Sequence, residues 1–319
     1  MNSSPLVSVI VPTYNRAEVI SGAVESVLAQ TYKNIEIVVV DDGSTDDTQA
    51  KLEEYAGRIR VVRQANRGPA AARNHGIQVA LGEIIAFLDS DDLWLPTKLA
   101  RQVALLTAGG DSVPCCLCNA RLRSAHGDDE LSFHVAQIYP PFEQGIWLNP
   151  AEVLATRFVF FNQAVAVRRW ALDKIGGFDE SLWLLEDWDL ALRLSTLGPW
   201  AFLREPLAIW NPNGSESLVA KAQKDPISLK EFAVRVHRNA LRVAGDGESR
   251  RLRSLHTAKL KSTQRELRAL HLGRMTFWGA DPLSKLLLSA ERCRNAVLKR
   301  SSLFPGMRVV PLASTPISL

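Results

Sequence analysis

The stretch "IEIVVVDDGSTDDT", residues 35–48, is a β-branched run that ends in acids, a glycine and a serine. The run predicts a buried strand, and the polar residues after it predict the capped start of a helix. This pattern of a strand followed by a helix recurs along the first 90 residues. Strands are predicted at 6–12, 35–40, 59–64 and 83–89, and helices at 13–32, 44–56 and 68–81. This alternation predicts an α/β fold with a Rossmann-like, mainly parallel sheet flanked by helices.

Acidic residues follow two of these predicted strands. The residues are Asp41 and Asp42 after the second strand, and Asp89 and Asp91 after the fourth. Ligands of open α/β sheets bind outside the carboxyl ends of the strands. We therefore expect these acids to line the mouth of a pocket.

The segment "FLDSDD" (87–92) places three carboxylates at the end of an apolar run. Like charges this close repel one another, and carboxylates near a buried strand need a positive partner. On an extended segment Asp89 and Asp91 would point to the same side, with Ser90 facing away. Paired carboxylate oxygens suit a hard divalent cation. The alternative is a helix cap formed by Asp91 or Asp92.

The stretch "NRGPAAARN" (66–74) supplies further candidates. Gly68 would let the backbone approach a phosphate, and Arg73 could bind an anion. Asp42 could accept a hydrogen bond from a base or a ribose. The alternatives are a turn role for Asp42 and a surface ion pair for Arg73.

The segment "LEDWDLALRLSTLG" (185–198) predicts an amphipathic helix. Asp187 shares a helix face with a series of apolar residues, namely Leu190, Ala191, Leu194 and Leu197. Glu186 and Asp189 are expected on another face, together with Arg193. Partial burial raises the pKa of a carboxyl group and makes it a better base near neutral pH. The pattern therefore singles out Asp187.

The net charge of +4 is unevenly distributed. Residues 1–219 hold 18 Lys and Arg against 27 Asp and Glu, whereas residues 220–319 hold 20 against 7. We expect an acidic main body over 1–219. Residues 220–319, here called the C-terminal extension, are expected to be basic and mainly helical. Helical patterns cover 227–244, 250–274 and 283–300.

No apolar run approaches the roughly 18–20 residues of a membrane-spanning helix, and the N-terminal run predicts a strand rather than a signal peptide. A cytoplasmic location is expected. Cys115, Cys116 and Cys118 lie in a predicted strand without a second metal-ligating pair at zinc spacing, so reduced core thiols are expected.

Six segments in order resemble glycosyltransferase family 2, which has the GT-A fold. They are "VSVIVPTYNR", "VVVDDGSTDDT", "NRGPAAARNHGI", "FLDSDD", "GGFDE" and "EDWDLALRL". The resemblance covers roughly residues 6–215 and implies a catalytic domain over 1–219, with a nucleotide-binding half (1–110) and an acceptor half (111–219). It implies transfer of a sugar with inversion from a nucleotide diphosphate donor, here a UDP-sugar, with Mn²⁺ or Mg²⁺ as cofactor. The implied acceptor is a glycan or a lipid-linked glycan of cell-surface polysaccharide synthesis.

The resemblance also implies roles for individual residues. Thr13 and Asp42 match nucleotide-binding positions, and Arg73 matches a donor-site position. Asp89 and Asp91 match the family's DxD motif, which contacts ribose and metal, with Asp91 as the main metal ligand. Asp187 matches the position of the family's catalytic base.

One departure concerns "IWNPNGSES" (209–217), where Pro212 stands in place of a histidine that can ligate the metal in many relatives. Metal dependence could therefore differ. Two alternatives remain, a non-catalytic nucleotide-sugar-binding protein and a metal-dependent nucleotidyltransferase. The second usually has a glycine-rich basic loop after the first strand, which "VPTYNRAEV" lacks.

The basic C-terminal extension has two interpretations. Its helices could contact an anionic membrane surface without spanning the membrane, with 282–300 as the best candidate segment. Alternatively, they pack on the catalytic domain and turn a solvated basic face outward. Nucleic-acid binding is not expected, because the few aromatic residues of this segment are not interleaved with its basic clusters.

Overall fold

The computed structural model describes residues 4–124, 127–159, 162–212, 225–243, 250–271 and 306–312. The strands are β1 Val7–Thr13, β2 Ile35–Asp41, β3 Arg60–Arg63, β4 Ile84–Phe87, β5 Leu93–Trp94, β6 Cys115–Leu122, β7 Glu130–Leu131, β8 Gln144–Trp147, β9 Val165–Arg168, β10 Trp200–Trp210 and β11 Val309–Pro311. The helices are α1 Ile20–Leu28, α2 Thr48–Glu53, α3 Pro69–Val79, α4 Lys98–Gly109, α5 Ser132–Val135, α6 Pro150–Leu154, α7 Arg169–Ile175, α8 Glu186–Ser195, α9 Pro226–Val243 and α10 Arg250–His271.

These strands form one sheet in the order β11-β8-β10-β6-β9-β4-β1-β2-β3, with β5 beside β10 and β7 beside β6. The first four strands are mutually parallel, as expected from the strand–helix alternation. β9 and β8 are antiparallel to both of their neighbours, so the other strands along this path share one direction. The sheet is mixed but mostly parallel, and the predicted α/β fold class is confirmed.

Close packing of the helices on the first strands explains the small residues of α3. A Cβ atom on Gly76 would lie 2.4 Å from a side-chain carbon of Ile10 in β1. Ala70 and Ala72 are buried on the same helix. A larger residue at these positions would hold α3 away from the sheet. The position of α3 matters because it carries Arg73.

β6 carries the three neighbouring cysteines through the centre of the second half of the sheet. Cys115, Cys116 and Cys118 are fully buried and have no disulfide bond. Burial raises the pKa of each thiol. The expected position of these thiols in the core is confirmed, and their reduced state stays a prediction.

The C-terminal extension contains two helices and one strand that joins the main sheet. The predicted helices at 227–244 and 250–274 are confirmed as α9 and α10. The predicted helix at 283–300 lies outside the described residues. The sequence did not predict β11, which pairs antiparallel with β8. Gly145 permits this pairing, because a Cβ atom there would lie 2.3 Å from the carbonyl oxygen of Val310.

The division into residues 1–219 and 220–319 stays a prediction, although β11 shows that the last described strand belongs to the main sheet. Within the described ranges, every helix is too short or too polar to cross a membrane.

Candidate active site

The candidate site begins where β1 and β2 end side by side. The backbone N–H of Asp42 donates to the carbonyl oxygen of Thr13 at 2.9 Å. Thr13 is buried, and its hydroxyl has no hydrogen-bond partner among the described residues. A buried hydroxyl without a partner is unfavourable, so this atom is suited to contact a ligand.

Asp42 holds the loop that leads into α3. Its Oδ1 accepts hydrogen bonds from the Gln64 side chain (2.7 Å) and the Arg67 backbone N–H (2.9 Å). Its Oδ2 accepts from the backbone N–H of Gly68 at 2.8 Å. Gly68 has a φ of 89°, which glycine adopts without strain. This structural role of Asp42 stands beside its predicted contact with the nucleotide, which stays a prediction.

Arg73 of α3 connects two parts of the site that are distant in sequence. One terminal nitrogen donates to Asp89 Oδ1 at 2.6 Å, and the other donates to Glu186 Oε1 at 2.8 Å. Burial alone would lower the pKa of Arg73, but the carboxylates of Asp89 and Glu186 more than offset this and raise it. The ion pair is buried, so the alternative of a surface ion pair is wrong.

The acids of "FLDSDD" lie on a turn, which corrects the expectation of an extended segment. The backbone N–H of Asp92 donates to the carbonyl oxygen of Asp89 at 3.1 Å, and Ser90 is buried. The chain turns here because the next residues form β5, which pairs with β10. The helix-cap alternative is wrong as well, since α4 starts only at Lys98.

The three acids have different environments. Asp92 is buried, and burial together with the charges of Asp89 and Asp91 raises its pKa well above the usual value. The side chains of Asp89 and Asp91 are 29% and 22% exposed. Arg16, from the loop after β1, lies 3.7 Å from Asp91 Oδ2. Asp89 and Asp91 are thus the acids of this turn that a ligand can reach.

Two polar residues missed by sequence reasoning hold this turn. The Gln163 side-chain amide donates to Asp89 Oδ2 at 2.7 Å and also to Asp92. Asn211, immediately before Pro212, donates from its backbone to Asp92 Oδ1 (2.9 Å) and from its side chain to the Asp91 carbonyl oxygen (2.7 Å). The segment after β10 therefore reaches the acid turn through an asparagine.

Asp187 lies in the first turn of α8, half-buried beside the Arg73 network. Burial, reinforced by the neighbouring charge of Glu186, raises the pKa of Asp187 to about 8. Leu185, just before the helix, has a φ of 62°, a left-handed conformation that is unfavourable for leucine. Such conformations occur where the surrounding structure imposes them, often at functional sites.

The expected arrangement of the other acids of α8 needs correction. Glu186 was expected away from the buried face with Arg193, but it is buried and paired with Arg73. Asp189 does pair with Arg193, at 2.6 Å, yet this pair is also buried. The apolar pattern alone did not show this, because the partners come from other elements: Arg73 of α3 contacts Glu186, and Asn239 of α9 contacts Asp189.

α9 is joined to α8 by polar and aromatic contacts. The Asn239 side-chain amide donates to Asp189 Oδ1 (2.8 Å) and Asp179 Oδ2 (2.9 Å). The ring of His237 packs edge-on against Trp188, with ring centres 5.1 Å apart. Asn239 and His237 are buried and were not identified from the sequence. The C-terminal extension therefore supports the helix that carries Asp187.

The donor atoms suit a divalent metal ion that takes most of its ligands from another molecule. Asp89 and Asp91 offer carboxylate oxygens, the ligands that Mg²⁺ and Mn²⁺ prefer. The described residues contain no group of three or more His, Cys, Asp or Glu side chains arranged to hold a metal by themselves. A metal here would therefore depend on ligands such as diphosphate oxygens and water.

The buried Arg73 bridge leads to a test of stability. Replacing Arg73 with Met leaves Glu186 and Asp89 without their cation, so we expect a loss of about 3–5 kcal/mol in the free energy of unfolding. Arg67→Met is the matched control, because its ion pair with Glu180 is exposed and is worth at most about 1 kcal/mol. Urea unfolding measures both, and equal losses would contradict the special role of Arg73.

Comparison with known proteins shows which family this sequence resembles. Residues 8–168, half of the chain, match the family described as "Glycosyl transferase family 2". An uncharacterized glycosyltransferase of Rickettsia typhi is 35% identical over 187 residues, which are 59% of this chain and 58% of the relative. A β-1,3-glucosyltransferase of Escherichia coli, named as acting with UDP-Glc on α-D-GlcNAc-diphosphoundecaprenol, is 45% identical over 103 residues, 32% of this chain and 41% of that protein.

Solved structures share the fold at low sequence identity. Residues 1–349 of TarS from S. aureus superpose with a TM-score of 0.63 at 20% identity, covering 83% of this chain and 73% of TarS 1–349. A mannosyltransferase from Pyrobaculum calidifontis, in complex with GDP-Man and Mn²⁺, has a TM-score of 0.59 at 22% identity, covering 95% of this chain and 84% of its own. From the family match and the shared sheet, this chain belongs to glycosyltransferase family 2.

Proposed function

We propose that this protein is an inverting glycosyltransferase that moves a sugar from a nucleotide diphosphate donor to an acceptor hydroxyl. The observation that carries this proposal is the Arg73 bridge, which joins the acid turn after β4 to the start of α8. A donor bound at the acid turn would lie beside a carboxyl group with a raised pKa. The alternatives of a nucleotidyltransferase or a non-catalytic binding protein are not favoured by the family membership.

The nucleotide would bind over the ends of β1 and β2. Thr13 offers a hydroxyl that lacks a partner among the described residues, and Asp42 orders the loop before α3. We propose a UDP-sugar as donor, in line with the UDP-Glc named for the E. coli relative. Arg73 would act on the donor indirectly, because its terminal nitrogens already bind Asp89 and Glu186.

Asp91 would hold a divalent cation together with Asp89, through an oxygen-rich donor set that suits Mn²⁺ or Mg²⁺. When bound, such an ion neutralises charge that develops on a departing diphosphate. Asp91 is the main candidate from its position in the DxD-like pair, and its side chain is 22% exposed.

Asp187 would act as the general base. It would take the proton of the acceptor hydroxyl as that oxygen attacks the anomeric carbon from the side opposite the leaving diphosphate. A single displacement of this kind inverts the anomeric configuration. The raised pKa of Asp187 makes it a stronger base than an ordinary aspartate.

Asp187→Asn tests this role. We expect donor binding to persist while turnover falls by about 10²–10⁴-fold, the usual contribution of a general base. Wild-type turnover should rise with pH until about 8, because Asp187 must lose its proton to act. Asp173→Asn, an exposed acid on α7, is the control and should keep normal turnover. An Asp187→Asn enzyme with wild-type turnover would exclude the proposed base.

The same shift predicts a pH dependence of stability. The pKa of Asp187 is higher in the folded protein than in the unfolded chain, so the folded state binds the proton more tightly. The stabilisation that the folded state gains from the proton on Asp187 is fully present below about pH 4 and is lost as pH rises towards 8. The wild-type protein should therefore lose stability relative to Asp187→Asn over that range, as measured by urea unfolding.

Asp91→Ala tests the metal site. We expect calorimetry to show loss of the Mn²⁺-dependent part of UDP binding. The fold should persist, because removing the charge of Asp91 reduces electrostatic repulsion at the buried carboxyl group of Asp92. Asp128→Ala, an exposed loop acid, should bind UDP and Mn²⁺ normally. Unchanged Mn²⁺-dependent affinity in Asp91→Ala would refute the assignment.

The acceptor would be a glycan or a lipid-linked glycan of cell-surface polysaccharide synthesis, as the name of the E. coli relative suggests for that enzyme. We propose a cytoplasmic location with peripheral membrane contact through the basic C-terminal extension. The main candidate segment, 282–300, lies outside the described residues. Salt-reversible co-sedimentation with phosphatidylglycerol vesicles is expected, and equal binding to neutral vesicles would argue against it.

A further inference from the structure

A second site lies between the two helices of the C-terminal extension. α9 and α10 enclose a cleft of about 500 Å³, whose lining includes Phe232, Arg235, Arg238, Leu267 and Arg268. We propose that this cleft binds the phosphate group of a lipid-borne acceptor. The proposal rests on the proposed glycosyl transfer and adds a binding site for the acceptor, separate from the donor site.

The charges of the cleft favour an anion. Three of its lining residues are arginines, and Glu231 is the one carboxylate among the lining residues. Arg238 and Arg268 are exposed, and neither forms an ion pair with a carboxylate of the described residues. Planar guanidinium groups bind phosphate oxygens through paired, charge-assisted hydrogen bonds. The cleft therefore matches the chemistry of a phosphate or diphosphate.

The apolar side of the cleft favours a lipid over a free phosphate ion. Phe232 and Leu267 are half-buried and face the same cavity as the arginines. Trp183 packs edge-on against Phe232, with ring centres 5.4 Å apart, and remains 39% exposed. Aromatic and aliphatic surface next to arginines fits an amphiphile whose hydrocarbon chain follows its phosphate.

The cleft is also connected to the candidate active site. Arg235 donates to the hydroxyl (2.8 Å) and the carbonyl oxygen (3.1 Å) of Ser181. The segment from Ser181 continues through Trp183 and leads into the first turn of α8, where Asp187 lies. A phosphate bound in the cleft would thus lie next to Arg235, which is hydrogen-bonded to the segment that positions the proposed base. This arrangement suits an acceptor whose sugar is linked to the lipid through that phosphate.

The test uses the 319-residue chain and farnesyl diphosphate as a lipid diphosphate probe, with calorimetric binding as the readout. The variant Arg238→Gln with Arg268→Gln removes two cleft arginines. The control, Lys261→Gln with Arg265→Gln, removes two exposed charges of α10 that do not line the cleft. We expect the cleft variant to bind the probe at least about tenfold more weakly, and the control to bind like wild type.

Equal losses in both variants would overturn the proposal, because they would show attraction to general surface charge only. Inorganic pyrophosphate is the second probe, and binding as tight as that of farnesyl diphosphate would overturn the assignment to a lipid. Binding of UDP with Mn²⁺ is measured on the same samples. Its absence in the wild-type protein would count against the proposed function and would leave the cleft measurement valid.

Discussion

The candidate site depends on one buried cation. Arg73 lies on α3 and binds Asp89, after β4, and Glu186, at the start of α8. Taking a guanidinium group and two carboxylates out of water is unfavourable unless each finds its partner in good geometry. The positions of α3, the acid turn and α8 are therefore tied to one another. A shift of any one of them would leave a charge uncompensated.

The same network sets up different environments for neighbouring acids. Glu186 is paired with Arg73, whose charge opposes the effect of burial but does not cancel it, so burial raises the pKa of Glu186. Asp187 accepts a hydrogen bond from the backbone N–H of Trp188 at 2.7 Å, and burial together with the charge of Glu186 raises its pKa to about 8. Different environments can give adjacent carboxyl groups separate roles. Here Glu186 is suited to positioning and Asp187 to proton transfer.

Much of the fold was predictable because its determinants are local. β1, β2 and β4 are short apolar runs, and each ends at a polar segment that starts a helix or a turn. The candidate acids were found for the same reason, since they follow these strands directly. The turn at Asp89–Asp92 was not predictable, because it depends on pairing of β5 with β10, more than 100 residues later.

The hydrogen-bond partners of the site residues could not be predicted from the sequence either. Arg73 meets Glu186 across 113 positions, and Gln163 meets Asp89 across 74. No periodicity reports such contacts, since they arise only when the sheet has assembled. A glutamine at position 163 or an asparagine at position 239 looks like an ordinary polar residue until its burial is known. The one available signal was the number of acids, which required buried donors from elsewhere in the chain.

The role of the C-terminal extension follows from the same constraint. Asp189 and Arg193 form a buried pair on α8, and the pair has few solvent contacts because α9 covers it. Asn239 supplies an additional hydrogen bond to Asp189, which a buried carboxylate requires. Without α9 these groups would be hydrated, and the first turn of α8 would lose one of its supports. The extension is therefore part of the structure that holds Asp187 in place, in addition to any contact it makes with an acceptor or a membrane.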